Sequence, residues 1–196
     1  MSIPAVISLS GVSGVGKTVL LQWLLETIQP SGLVPSYTTR KPRPSDIGEY
    51  NYITSDQFRE LKEGNEFAWF VDEYGNQYGT KLDDLYRAVV NSRRTRKVSM
   101  LLIVPNIIEN LRRNIRNYGG EVISFYIFCG DEDILRQRLL ARDNDCQLVE
   151  RRINGSKHFD EQASRTQDLF RIDNTRDDNL AYAKEQILSV LKAEGF

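Results

Sequence analysis

Ser8-Leu9-Ser10-Gly11-Val12-Ser13-Gly14-Val15-Gly16-Lys17-Thr18 is the stretch from which the rest of the chain can be read. Its last eight residues spell G-x-x-x-x-G-K-T, the P-loop pattern, and the flanking segments give that short pattern its weight. An apolar β-like run, Ile3 to Leu9, leads in, and Val19-Leu20-Leu21-Gln22-Trp23-Leu24-Leu25 leads out as a helix buried over most of its surface. Gly11, Gly14 and Gly16 let the backbone curl so that successive N–H groups, those of Ser13 and Val15 among them, face phosphate oxygens. The start of the helix adds roughly half a positive charge. Lys17 supplies a full charge to the β- and γ-phosphates, and the Thr18 hydroxyl is the expected Mg²⁺ ligand. A glycine-rich β–α turn carrying Lys-Thr by coincidence is the competing reading, and it leaves the flanks unexplained. The stretch predicts binding of a nucleoside triphosphate.

Working outward, Gln29-Pro30-Ser31-Gly32 ends the first helix with turn chemistry, and Leu33 to Tyr37 is extended. Pro42 and Pro44 exclude a helix from Thr38 to Tyr52. In that stiff segment Arg40 and Arg43 stand three apart, followed by Tyr50 and Tyr52. Two guanidinium forks and phenolic hydroxyls suit a phosphate dianion, because arginine binds it bidentately. Alone, the segment reads equally well as a solvated basic loop. Downstream of a P-loop it reads as a second phosphate site. Thr54 to Lys62 reads as a short helix capped by Thr54 or Ser55. Phe67 to Val71 is strand-like, and Gly75-Asn76 signals a hairpin into Gln77-Tyr78-Gly79-Thr80. Residues 38–80 thus form a small, mostly β insertion. From Lys81 the alternation returns: helix 82–90, strand 98–104, helix 106–117, strand 122–129, helix 131–142, a polar break at 143–146, helix 147–162, strand 169–172 and helix 179–192. Such alternation predicts a mainly parallel sheet with helices on both faces.

Composition narrows the class. At 196 residues, with 40% apolar and 27% charged residues, the chain suits one soluble globular domain. A net charge of −1 gives no global field toward nucleic acid or an anionic membrane. Arg93, Arg94, Arg96 and Lys97, like Arg112, Arg113 and Arg116, therefore read as solvated faces. A third cluster, Arg136, Arg138, Arg142, Arg151 and Arg152, brackets the polar break, where arginines can close over a triphosphate. Cys129 and Cys146 are too few for a disulfide scaffold and suit a reducing cytosol. His158, the single histidine, reads as structural. No signal peptide or membrane span is legible, so a cytoplasmic protein is expected.

The motifs in order are G-x-S-G-x-G-K-T, then S-x-T-T-R-x-P-R from Ser36, then the Tyr50 segment, then N-E-F at 65–67, then G-N-x-Y-G-T from Gly75. On these the chain resembles guanylate kinases over essentially its whole length. The resemblance implies an α/β fold: a P-loop NTPase-type parallel-sheet core (1–35, 81–142 and 163–196), a mostly β nucleoside-monophosphate insertion (36–80) and a lid (about 143–162). It implies phosphoryl transfer from ATP with Mg²⁺ to a nucleoside monophosphate, GMP or dGMP first. Arg40, Arg43, Tyr50 and Tyr78 are the implied ligands of the acceptor phosphate, and Ser36 and Thr80 the implied base contacts. Lys17 and Thr18 are the implied donor-phosphate and metal contacts, with Arg138, Arg142 and Arg152 as lid arginines. No nucleic-acid or membrane partner is expected.

Two departures bear on the substrate. In the family, a strand glutamate after the N-E-F opening accepts the guanine N1–H and 2-amino hydrogens; here Trp69 stands there. The later strand usually ends in D-x-D, and here Leu102 and Val104 hold those positions. A charge-assisted hydrogen bond contributes roughly 1.5–3 kcal/mol, whereas stacking on an indole contributes roughly 1–3 kcal/mol but tolerates any base. Selectivity for guanine is therefore expected to weaken more than affinity. Trp69 also reads as a plain core aromatic, and Asp72 or Glu73 could act in place of the missing glutamate. The alternatives are the same chemistry on another or modified base, and a binding module that has lost catalysis.

Overall fold

A computed structural model describes residues 4–143, 145–176 and 180–196. Strand β1 (Val6–Gly11) is buried along its whole length and lies at the centre of a five-stranded sheet. It starts and ends later than the apolar run suggests, so Gly11 closes the strand as well as opening the loop. Around it are β2 (Ser31–Leu33), β7 (Val98–Leu102), β8 (Val122–Phe128) and β9 (Leu169–Asp173), in the order β2-β7-β1-β8-β9. Every pairing in this sheet is parallel. The register sets Ser8 opposite Ser124, and the Ser8 hydroxyl donates to Ser124 Oγ at 2.9 Å. Ser10 Oγ donates to the Phe125 carbonyl at 3.0 Å, so the polar residues of this buried strand are satisfied.

Alternate residues of a strand face opposite sides of a sheet, and the core divides accordingly. Ile7, Leu9, Met100 and Leu102 join one cluster with α1 (Lys17–Thr27), α5 (Glu132–Asp143), α6 (Cys146–Arg165) and α7 (Ala181–Ala193). Val6, Leu101 and Ile103 join a second with α3 (Leu82–Thr95) and α4 (Ile108–Asn117). Both faces are covered, as parallel sheets require. A one-turn 3₁₀ helix, Pro105–Ile107, opens the segment expected to be helical from 106.

The extended stretch 33–37 splits between two sheets at Val34-Pro35. A second sheet holds β3 (Ser36–Thr38), β4 (Tyr50–Tyr52), β5 (Phe67–Glu73) and β6 (Asn76–Lys81), in the order β4-β3-β6-β5. Its helix α2 (Ser55–Glu63) begins with a capping box: Thr54 accepts from the Gln57 N–H, and the Gln57 side chain accepts from the Thr54 N–H. A register shift between Phe67 and Trp69 bends β5. The expected polar break contracts, since α5 runs to Asp143 and α6 resumes at Cys146. Asn144 and the side chain of Asp143 lie outside the described residues, as does Asn179, the expected start of the last helix.

One sequence expectation is corrected outright. Arg112 is no solvated residue: only 4% exposed, it donates to the Gln167 carbonyl and, at 2.5 Å, to that of Asp168. It ties α4 to the turn before β9, where Asp168 has φ +50°. Arg112→Ala is expected to cost about 2 kcal/mol, because charged hydrogen bonds are lost from carbonyls that face inward. Urea unfolding checks this; an unchanged midpoint would mean that water replaces the guanidinium.

Candidate active site

The loop between β1 and α1 is shaped by what stands behind it. A Cβ on Gly11, whose φ is +137°, would sit 2.2 Å from the Ile127 carbonyl oxygen. Gly16 has φ +88° and caps α1 in a left-handed conformation, which favours glycine. Asn174, at the turn after β9, donates through Nδ2 to the Val15 carbonyl at 2.9 Å and braces the loop.

This loop forms one wall of a cavity of about 350 Å³ at the carboxyl end of the parallel strands, where open α/β sheets bind ligands. Gly11, Ser13, Gly14, Gly16, Lys17 and Thr18 line it. The second sheet supplies Ser36, Arg40, Arg43, Tyr50, Trp69 and Tyr78, and the α5–α6 pair supplies Arg138, Arg142 and Arg152. Two of the residues singled out from sequence are not among those that line it. The Val15 side chain is fully buried, which leaves the role expected of its N–H untouched. Thr80 is fully buried too, with its hydroxyl 3.1 Å from that of Ser36.

Lys17 Nζ donates to the carbonyls of Gly11 and Val12 at 2.8 and 2.7 Å. Burial foremost, then the charges of Arg142, Arg152 and Arg43, bring its pKa down to about 7. Arg142 also donates to Ser13 Oγ at 2.8 Å, drawing α5 onto the loop. Arg138 donates to the carbonyls of Asn174 and Arg176. Arg152 on α6 lies 5.9 Å from the Tyr74 ring, so the tip of the β5–β6 hairpin meets α6.

Arg40 is buried, with Nη2 2.9 Å from Asp46 Oδ1 and its guanidinium 5.0 Å from the Tyr50 ring centroid. Asp46 also accepts from the Arg43 N–H at 2.6 Å and the Tyr52 hydroxyl at 2.5 Å. Burial pushes the Asp46 carboxyl up, but those hydrogen bonds and the Arg40 charge outweigh it and hold the group below the usual range. Burial raises the Tyr50 and Tyr78 hydroxyls, which stay neutral donors.

Sequence reasoning missed Asp46, Glu49, Tyr74 and Phe159 as lining residues. Asp46 carried a signal, an acid three residues after Arg43 in a stiff segment. Glu73, left without a direction, lines the cavity, as period-two alternation from Trp69 through Val71 requires. Asp72 is exposed on the other face of β5. His158 is exposed on α6, with Nε2 2.7 Å from Gln162 Nε2, and belongs to no core.

For a divalent cation, Thr18 stands at the cavity wall, while the end of β7 offers Leu102, Ile103 and Val104. Among the described residues no group of three or more His, Cys, Asp or Glu is arranged to hold a metal. This donor set fits Mg²⁺ that arrives already coordinated by nucleotide phosphates and water, with one hydroxyl to add; it does not fit a resident ion.

A sequence model of the guanylate kinase family matches residues 4–189. The chain belongs to the guanylate kinase family. It is 31% identical over 189 residues to a guanylate kinase of Geobacter sulfurreducens, covering 95% of this chain and 87% of that one. A Helicobacter pylori guanylate kinase is 28% identical over 188 residues, covering 94% and 84%. The crystal structure of guanylate kinase from Anaplasma phagocytophilum shares the fold, with a TM-score of 0.70 at 21% identity, covering 98% of this chain and 87% of that chain. Membership makes this protein a nucleoside monophosphate kinase by class. No helix among the described residues is long and apolar enough to cross a membrane.

The depressed Lys17 pKa has a measurable consequence. A bound triphosphate favours the ammonium form, so Lys17 takes up a proton when Mg·ATP binds above pH 7. Affinity is expected to be flat below pH 7 and to fall by up to about tenfold per unit above it. Calorimetry in buffers of different ionisation enthalpy should show uptake approaching one proton near pH 8, absent in Lys17→Arg. No uptake in the wild type would mean that Lys17 already carries its charge.

Proposed function

We propose that this guanylate kinase family member transfers the γ-phosphoryl of ATP to a nucleoside monophosphate, with GMP or dGMP as acceptor. The observation that carries the reading is a single cavity whose walls are the glycine-rich loop on one side and Arg40, Arg43, Tyr50 and Tyr78 on the other. A donor triphosphate and an acceptor phosphate held on those walls meet end to end. Residues 36–80 act as the acceptor-binding unit, and the segment about 143–162, mostly α6, acts as the lid on a core made of the rest.

Each side chain has a defined task. The N–H groups of residues 11–18 cradle the β-phosphate, and Lys17 moves from its two carbonyl partners to the β- and γ-phosphates. The Thr18 hydroxyl would hold Mg²⁺ carried in with ATP, which would supply charge neutralisation of the phosphates. Arg40 and Arg43 grip the acceptor phosphate, and Tyr50 and Tyr78 donate hydroxyls to it. Until the acceptor arrives, Asp46 holds Arg40 in its fork geometry. Arg138, Arg142 and Arg152 stabilise charge spreading over the transferred group. The acceptor phosphate is already a nucleophilic dianion, so positioning and electrostatics suffice without a general base.

A second reading, the same chemistry on another or modified base, is favoured by Trp69, Leu102 and Val104 at positions where the family carries acids. A non-catalytic binding module is disfavoured by the intact Gly16-Lys17-Thr18 and by the arginines gathered at the cavity. ADP formation from Mg·ATP, measured against a panel of ribo- and deoxynucleoside monophosphates, is expected to be strongest with GMP or dGMP. Turnover confined to another base would replace that acceptor, and silence across the panel with ATP still bound would leave the binding module. Lys17→Ala should lower kcat by at least about 10²-fold while the protein stays folded; unchanged turnover would remove the glycine-rich loop from the chemistry.

A further inference from the structure

We infer that Tyr74, at the tip of the β5–β6 hairpin, is a positioning residue that holds the Arg152 guanidinium against the transferring phosphoryl group. This rests on the proposed kinase reading. Glu73 pairs with Asn76, so Tyr74 and Gly75 alone make the hairpin turn, with φ +51° and +77°. Two left-handed residues in a row suit glycine or asparagine, and an aromatic side chain at the first of them is disfavoured. On α6, Gly155 interrupts the helix interior, where glycine costs stability relative to alanine. These two locally unfavourable residues meet each other. A Cβ on Gly155 would lie 2.5 Å from the Tyr74 hydroxyl oxygen and 3.4 Å from Cζ of its ring. Local strain of this kind gathers at functional sites.

What the contact fixes is Arg152. It stands one turn before Gly155 on the same face of α6, and its guanidinium carbon is 5.9 Å from the Tyr74 ring centroid. Only 6% exposed, Arg152 lines the cavity together with Glu73, Tyr74 and Asn76. A cation over an aromatic face is attracted by the ring quadrupole, more strongly where water is scarce. The Arg152 charge is felt on both walls. After burial and Arg142 it lowers the Lys17 ammonium. With Arg40 and Arg43 it opposes the rise that burial gives the Tyr78 hydroxyl. Arg152 is thus within reach of the loop that takes the donor and of a residue that takes the acceptor phosphate. A long, rotamer-rich cation serves spreading charge best when it is held in place beforehand. Tyr74 supplies that hold from the acceptor sheet.

Two variants test the assignment, each improving local structure while removing the contact. Tyr74→Asn takes away the ring but suits the turn, and Gly155→Ala pushes the ring away but suits the helix. Both proteins are expected to unfold at an unchanged or higher temperature. Each should nevertheless lower kcat, with the monophosphate that the wild type uses best, by about 3- to 30-fold, the range of one cation–π contact. The acceptor KM should move by less than about twofold, because Arg152 meets the group in transfer rather than the bound acceptor. Tyr74→Phe keeps the ring and should leave kcat within about twofold of wild type. In an Arg152→Gln background, Tyr74→Asn should add no further loss, since the contact is already gone. Unchanged kcat in either single variant overturns the inference. So does a loss carried by KM, which would put Tyr74 on the acceptor itself, or a loss that adds in full to that of Arg152→Gln. A fall in unfolding temperature that accompanies the loss makes the contact structural and overturns it as well. If wild-type protein turns over no monophosphate, the kinase reading fails and takes this one with it.

Discussion

Positive charge gathered in a partly desolvated cleft is the constraint around which this protein is arranged. Lys17 feels burial first and then Arg142, Arg152 and Arg43, which come from separate elements and meet only in the folded state. Cations repel strongly where water is scarce, so the arrangement costs stability that a polyanion restores. The fold withstands that cost because the glycine-rich loop is braced from behind. Gly11 fits against the Ile127 carbonyl with no space for a Cβ, and Asn174 holds the Val15 carbonyl.

The second sheet solves a related problem differently. Arg40 is nearly buried before any phosphate arrives, and a lone buried guanidinium would be costly. Asp46 neutralises it and at the same time gathers the Arg43 backbone and the Tyr52 hydroxyl. One carboxylate thus organises a proline-rich segment that has little regular structure of its own. The α5–α6 pair packs into the same core as Ile7 and Leu9 and reaches the cavity through Arg142 to Ser13 and through Arg152 to the Tyr74 ring. Those contacts link it to both other parts of the cavity.

The residues at the usual acid positions, Trp69, Leu102 and Val104, still line the cavity. Beside them, Glu49 Oε1 and the Trp69 indole Nε1 are buried without a hydrogen-bond partner among the described residues.

The P-loop, the β–α alternation, the arginine pair in the proline-rich segment and the small β insertion were all legible in the sequence. Each depends on local rules: glycine at positive φ, proline stiffness, hydrophobic period and turn residues. Strand and helix ends shifted by a few residues, because end positions depend on neighbours. What the sequence could not disclose was pairing across distance. Arg112 looked like one of three solvated arginines, but the turn at 167–168 folds over it. Thr80 looked like a base contact, and it proves fully buried with its hydroxyl 3.1 Å from that of Ser36. Glu49 carried no signal, because its orphaned oxygen exists only once Ile47, Ser36 and the walls of the cavity surround it. By itself the sequence determined the class of fold and the phosphate chemistry, which rest on short-range backbone geometry and charge. Only the tertiary structure decided which acids are neutralised and which still face the cavity, because burial and partnership are properties of residues brought together from distant parts of the chain.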